Sequence, residues 1–206
     1  MSEDKETSTI ESRHRARMQR KKAVIDSKIA DADAERGVLL VLTGNGKGKS
    51  SSAFGMVARS LGHGMRAAVV QFVKSRSDTG EEGFYSRFPD EISWHVMGAG
   101  FTWETQDRSL DEAAAKAAWE IGKGYLADDS FDLVVFDEMT YAFKYGWLDL
   151  TEVLAAIAAR PRLQSVVVTG RAAPEALTEA ADTVTEMGMV KHAFKAGVKA
   201  MPGIEF

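Results

Sequence analysis

Between positions 43 and 50 the chain reads Thr-Gly-Asn-Gly-Lys-Gly-Lys-Ser. Glycine takes backbone angles that a Cβ forbids, so such a loop can curl until successive N–H groups face one anion. Lys49 adds a mobile positive charge and Ser50 a hydroxyl suited to Mg²⁺. The chemistry is the gripping of a polyphosphate, with Gly44, Asn45, Gly46, Lys47, Gly48, Lys49, Ser50 and Ser51 as candidate nucleotide ligands. Thr43 stands where the usual G-x-x-x-x-G-K-[ST] pattern has its first glycine. Asp137-Glu138 closes an apolar run at 133–136, where a nucleotide-binding sheet places a metal-orienting carboxylate. Neighbours in an extended strand point to opposite sides, so one of these two is expected to reach the metal directly. Arg171, after Val168-Thr169-Gly170, is a candidate for neutralising phosphate charge.

A different kind of segment lies at Gly98-Ala99-Gly100-Phe101-Thr102-Trp103-Glu104-Thr105. Phe101 and Trp103, two residues apart, share one face of an extended backbone. Their neighbours are flexible or polar, which favours a loop over a core strand. A rigid aromatic wedge beside a phosphate site suits a large second substrate with a flat apolar face.

The elements that must carry these residues are legible as alternating patterns. Val38–Leu42, Ala67–Val73, Leu133–Phe136 and Val166–Val168 are apolar, β-prone runs of the kind buried on both faces, and Asp182–Glu186 is a short fifth strand candidate. Between them, Ala53, Met56, Val57, Ser60 and Leu61 keep helical spacing, as do Leu110, Ala113, Ala114, Ala117, Ile121 and Tyr125. Leu150, Val153, Leu154, Ile157 and Ala158 form a third stripe, stopped by Pro161. Strands alternating with helices imply an α/β fold: a mostly parallel sheet with helices on both faces.

Composition narrows the function. The 206 residues divide into residues 1–36, a charged arm expected to be flexible or partly helical, and residues 37–206, one α/β domain. The arm holds 9 Lys/Arg and 8 Asp/Glu and too few apolar residues to fold stably alone. The absence of cysteine excludes disulfides, Cys-ligated zinc, iron–sulfur ligation and a thiol nucleophile. A net charge of −4 argues against nucleic-acid binding, and no apolar run is long enough for a bilayer span. A cytoplasmic setting is the expectation. None of His14, His63, His95 and His192 falls in a triad or metal-ligand spacing, so each is expected to be structural or on the surface.

Taken in order, TGNGKGKSS, VVQFVKS, MGAGFTWE, VVFDEMTYA and VVTGR resemble the ATP:corrinoid adenosyltransferases of the phosphate-loop type, over about Gly37 to Phe206. The resemblance implies a RecA-like sheet and a homodimer. It also implies transfer of the 5′-deoxyadenosyl group of ATP to Co(I) of cobyrinic acid a,c-diamide or cobalamin, releasing triphosphate, in adenosylcobalamin biosynthesis. ATP would lie reversed relative to other phosphate-loop proteins, and an electron-donating flavoprotein or reduced flavin would supply Co(I). By position, Gly44 to Ser50 match the triphosphate loop, Ser50 and Glu138 the Mg²⁺ positions (Mn²⁺ being an alternative ion), and Arg171 a phosphate-contacting arginine. Phe101 and Trp103 match aromatics that displace the corrinoid's lower axial ligand, which makes them, with Lys49, the expected catalytic residues. Ser50 stands where the family more often has threonine, which keeps the hydroxyl. The arm would act as a lid. Two other readings remain at this point: a phosphate-loop kinase or NTPase, and a carrier that binds corrinoid or nucleotide without turnover.

Overall fold

In a computed structural model the described residues are 2–73, 79–98 and 108–205, with side chains from residue 11 onward. The chain forms two compact units, residues 1–35 and 36–206. The first is a single helix, α1 (Ser2–Asp31), uninterrupted by Gly or Pro and carrying an i,i+4 ion pair between Lys22 and Asp26. Arg36 belongs to the second unit, one residue earlier than the composition shift suggests.

The second unit is an all-parallel sheet of six strands: β1 (Leu39–Thr43), β2 (Ala67–Gln71), β3 (Ile92–Val96), β4 (Leu133–Asp137), β5 (Ser165–Thr169) and β6 (Thr183–Glu186). Their spatial order is β3-β2-β4-β5-β1-β6. The helices are α2 (Lys49–Gly62), α3 (Gly80–Tyr85), α4 (Arg108–Ala127), α5 (Thr140–Lys144), α6 (Leu150–Ala158) and α7 (Glu175–Ala180). Every residue of β2 and β4 is buried, which explains why these strands read as unbroken apolar runs rather than alternation.

The two faces of the sheet make two cores. Val41, Val70, Val134, Phe136, Val166 and Val168 pack with residues of α4, α6 and α7, among them Trp119, Ile157 and Leu177. Leu42, Val69, Val135 and Val167 pack with Ala53, Phe54 and Val57 of α2 and Tyr85 of α3. Helices therefore cover both faces, as the alternation implied. The sequence pattern shows five strands; β3 adds a sixth. Its residues, Ile-Ser-Trp-His-Val, are half-buried after Ile92 and mix polar with aromatic types, so no apolar run marks it. Helices α3, α5 and α7 span only five or six residues each, too few for a period to show.

The other edge strand, β6, is exposed along its length and is held at its start by charge. Asp182 accepts from the Leu39 amide at 2.9 Å and from Arg36 Nη1 at 2.9 Å, which ties the beginning of β6 to the beginning of β1. The Arg36 hydrogen bond, seconded by the Leu39 amide, lowers the Asp182 carboxyl from 3.8 to about 2. A carboxyl whose folded pKa is depressed stabilises the fold above its unfolded value and loses that contribution as pH falls through the folded value. Asp182→Asn is therefore expected to lower Tm at pH 7, with the gap to the parent closing as pH falls from 3.8 towards about 2. Thermal melts across that range check it, and a gap independent of pH would show that the charge is not what holds β6.

Candidate active site

All six strands end at one edge of the sheet, and the chemistry-bearing residues collect there. Residues Thr43 to Lys49 link β1 directly to α2. Gly48 has φ +115 and precedes the helix, a conformation only glycine adopts without strain. Gly46 serves a different purpose. A Cβ there would lie 2.6 Å from the carbonyl oxygens of Met187 and Gly188, so the loop can approach the chain leaving β6 only if that position is bare. The contact is a bond: the Gly46 amide donates to Met187 O at 2.6 Å, and the Met187 amide donates to Thr43 O at 2.9 Å. Thr43 has its own task, which accounts for the departure from the usual first glycine. Its hydroxyl accepts from the Ala173 amide at 3.2 Å, joining the phosphate loop to the turn after β5.

The loop borders a cleft of about 280 Å³. Asn45, Gly46, Lys47, Gly48, Lys49, Ser50 and Ser51 line it, and Glu138 and Arg171 face it from the ends of β4 and β5. Every candidate nucleotide ligand except Gly44 is thus on one wall or another. Lys49 is only 6% exposed and its ammonium donates to Gly46 O at 2.8 Å. Burial pushes its pKa below the usual lysine value; Glu138 and Asp137 pull it back up, while Arg171 and Lys47 push it further down. The side chain is a cation held without full solvation, and a polyanion in the cleft would restore what burial takes away.

Asp137 and Glu138 part company because β4 ends at Asp137 and Glu138 already lies beyond the strand. Asp137 is wholly buried; its carboxylate accepts from Gln71 Nε2 at 2.9 Å and from Thr169 Oγ1 at 2.8 Å. Gln71, Asp137 and Thr169 close three neighbouring strands with a buried polar row that knits β2, β4 and β5 at this edge. Glu138 turns out of the sheet with φ 58, a left-handed conformation that costs a non-glycine residue about 1–2 kcal/mol. The Glu138 amide donates to Thr169 Oγ1 at 2.9 Å, which holds that turn. The turn after β5 is held similarly: Thr140 Oγ1 donates to Arg171 O at 2.7 Å, and Ala172 has φ 51. Two strained non-glycine residues thus flank the cleft, where such strain is commonly kept for function. Tyr141 lies beside them; burial raises its hydroxyl pKa, the Glu138 charge adds to the rise, and Arg171 opposes it.

Three charged or titratable residues on the cleft wall carry no motif of their own: Glu81 from α3, and His192 and Glu205 from the chain that follows β6. Glu205 pairs with Lys47 Nζ at 2.9 Å. Only the polar ends of the runs at Gln71 and Thr169 could have flagged the row around Asp137. A second cavity of about 370 Å³ adjoins the cleft, sharing Ser51, Glu81 and Ile204 and presenting Phe54, Phe84 and Tyr85. Phe101 and Trp103 lie outside the described residues, while β3 delivers Met97 and Gly98 to this same edge, the Met97 amide donating to Gln71 O at 3.0 Å.

Comparison with known proteins decides the family. Residues 35–206 match the family described as ATP:corrinoid adenosyltransferase BtuR/CobO/CobP, and residues 6–29 match the segment described as Cob(I)alamin adenosyltransferase N terminal. The chain belongs to the ATP:corrinoid adenosyltransferases. It is 66% identical over 194 residues to the corrinoid adenosyltransferase of Pseudomonas aeruginosa, covering 94% of this chain and 96% of that one. Identity to the corrinoid adenosyltransferase CobA of Salmonella typhimurium is 47% over 94% of this chain and 98% of that one. The corrinoid adenosyltransferase of Sinorhizobium sp is 43% identical over 95% and 92% of the two chains. The adenosyltransferase is a transferase that adenosylates corrinoids at the expense of ATP. Among its described residues no helix is long and apolar enough to cross a membrane.

The contact between the phosphate loop and Met187 gives a direct test. Forcing a methyl group against fixed carbonyls costs about 1–3 kcal/mol. Gly46→Ala is expected to lower Tm by roughly 2–10 °C and to weaken binding of inorganic triphosphate. Calorimetry and titration with triphosphate measure both, and a variant indistinguishable from the parent in the two would remove Met187 from the loop's support.

Proposed function

We propose that the cleft lined by Asn45–Ser51 holds the triphosphate of ATP while Co(I) of a bound corrinoid attacks the ribose 5′-carbon. The observation that supports it is the convergence of Lys49, Ser50, Glu138 and Arg171 on one cleft at the carboxyl edge of a parallel sheet. In this reaction the electron pair of Co(I) forms the Co–C bond, leaving Co(III), and the C5′–O bond breaks with its electrons passing to the departing triphosphate. Co(I) carries no proton, so no general base is needed. The barrier falls through alignment, worth up to about 7–11 kcal/mol for two well-placed reactants, and through charge that meets the leaving group.

The residues divide that work. Lys49 and the amides at the start of α2 face the polyanion, and Arg171 approaches it from β5. Of the two adjacent carboxylates, Glu138 is the one with access to the cleft, and Asp137 is the anchor behind it. Among the residues on the cleft wall, Ser50 offers a hydroxyl next to Lys49 and Glu138 a carboxylate from the end of β4, and no cluster of three or more His, Asp or Glu able to hold a metal occurs among the described residues. That set fits Mg²⁺, which completes its octahedron with phosphate oxygens and water rather than an all-protein cage. Ser50 and Glu138 would hold the ion, which supplies positive charge to the triphosphate when bound. Mn²⁺ fits the same oxygen donors.

The corrinoid belongs against the aromatic segment at Phe101 and Trp103. Removing the lower axial ligand of Co(II) makes an added electron easier to accept, and a dry wedge of two rings would exclude both ligand and water. The electron would come from a reduced flavin or flavoprotein. A homodimer, a lid role for residues 1–36 and a cytoplasmic location complete the reading.

Phosphorus NMR after incubation with ATP and reduced corrinoid is expected to show free triphosphate appearing in step with alkylated corrinoid. Diphosphate and orthophosphate formed in step with product would overturn the reading. Trp103→Ala is expected to lose far more activity when Co(II) must be reduced on the enzyme than with prereduced Co(I). Equal losses in the two assays would remove the wedge.

A further inference from the structure

The chain that follows β6 is tied to the phosphate loop at both of its ends. At the near end Met187 exchanges backbone hydrogen bonds with Gly46 and Thr43, and at the far end Glu205 pairs with Lys47. Between these ties the segment contributes His192 and Ile204 to the cleft wall. All of residues 191–200 are exposed except His192, which turns inward and lines the cleft.

The ring of His192 is oriented by its own backbone. Its Nδ1 accepts from the Phe194 amide at 3.2 Å, capping the short 3₁₀ turn Ala193–Ala196. An accepting Nδ1 carries no hydrogen, so the proton of the neutral ring sits on Nε2. His192 lines the cleft, and in this tautomer Nε2–H is the donor its ring has to offer there. The cleft has use for it, because its lining carries Glu81, Glu138 and Glu205 against Lys47, Lys49 and Arg171. Three acidic groups offset three cations, and a ligand of several negative charges gains from any further donor that costs no desolvated charge.

We propose that His192 is a triphosphate-binding residue, donating from Nε2 to a phosphate oxygen of ATP and of the departing triphosphate. It deepens the reading of the cleft as the triphosphate site and rests on that reading. The segment carrying His192 would then act as a strap whose ties to Met187 and Glu205 set the height of the donor above the loop. Incoming polyphosphate competes with Glu205 for Lys47, so binding exchanges one anion on the loop for another.

His192→Asn separates donor from cap, because the amide oxygen can still accept from the Phe194 amide while the shorter side chain no longer reaches the Nε2 position. The full-length protein, its His192→Asn variant and a Lys49→Ala control are titrated with inorganic triphosphate in the presence of Mg²⁺, alongside thermal melts and the KM for each substrate. His192→Asn is expected to keep its Tm and its KM for corrinoid, and to lose about tenfold in triphosphate affinity, as befits one hydrogen bond to a charged group. Its KM for ATP should rise with it. If His192→Asn binds triphosphate like the parent while Lys49→Ala does not, the donor role is overturned and the site reading stands. If Lys49→Ala also binds like the parent, the site reading fails and takes the proposal with it. A fall in Tm that accompanies the loss of affinity would make His192 a structural cap and overturn the donor role.

Discussion

A phosphate loop must leave its amides pointing at empty space, and backbone polar groups do not stay unpaired unless something else holds them there. Here that something is the chain leaving β6. It takes the Gly46 amide and the Thr43 carbonyl into hydrogen bonds from behind, and the Thr43 hydroxyl and Ala173 amide brace the neighbouring turn. Each bond is worth only about 0.5–1.5 kcal/mol net, but orphaning a buried amide costs ~1–3 kcal/mol, so the loop has little reason to collapse onto itself. The free amides at the start of α2 remain for a ligand. The shape of the site is therefore set by an exposed edge strand that contributes no catalytic group. Its attachment to β1 through Asp182 and Arg36 becomes part of the site's support.

The same division between support and contact governs the acidic pair. In the proposed role the Glu138 carboxylate must keep its orientation beside other acidic groups, and strain is one way to keep it. Asp137 sits in the buried row with Gln71 and Thr169, and Thr169 also accepts from the Glu138 amide. One hydroxyl thus joins the anchor to the turn that carries the reaching carboxylate. The left-handed backbone at Glu138 is affordable because the residues on either side are held by the sheet and by α5. Replacing Asp137 would unlace three strand ends, whereas replacing Glu138 would touch only the cleft.

How much of this was legible beforehand follows from the range of each interaction. Strands buried on both faces announce themselves as apolar runs, so β1, β2, β4 and β5 are readable, and the stripes of α2, α4 and α6 repeat for long enough to be seen. The phosphate loop is readable because its function demands particular residue types in consecutive positions. β3 was not, since its half-buried residues are chosen by contacts outside the strand: Tyr85 of α3 stacks on Trp94, and Tyr125 Oη, 30 positions along the chain, meets His95 Nε2 at 2.7 Å. His192, Glu205 and Glu81 escaped for the same reason. Each is an ordinary surface residue type, some 30 to 160 positions from the loop it faces, brought there only by the path of the chain after β6 and by α3.

That dependence on distant residues bears on how the proposed reaction, which needs no general base, can be selective. On the proposed mechanism Co(I) requires little activation, so the protein would gain most by restraining geometry and by meeting the charge on the leaving group. Restraint comes from the sheet edge, where β1, β4 and β5 fix Lys49, Glu138 and Arg171 relative to one another through backbone register. Charge is kept in balance rather than in excess: the cations of the cleft are already faced by carboxylates, one of them a direct ion pair to Lys47. A cleft so balanced does not depend on a large positive field to recruit its ligand. On the proposed reading it would favour a polyanion that can displace Glu205 and satisfy the loop amides together, which a triphosphate would do better than a single phosphate with fewer oxygens to share.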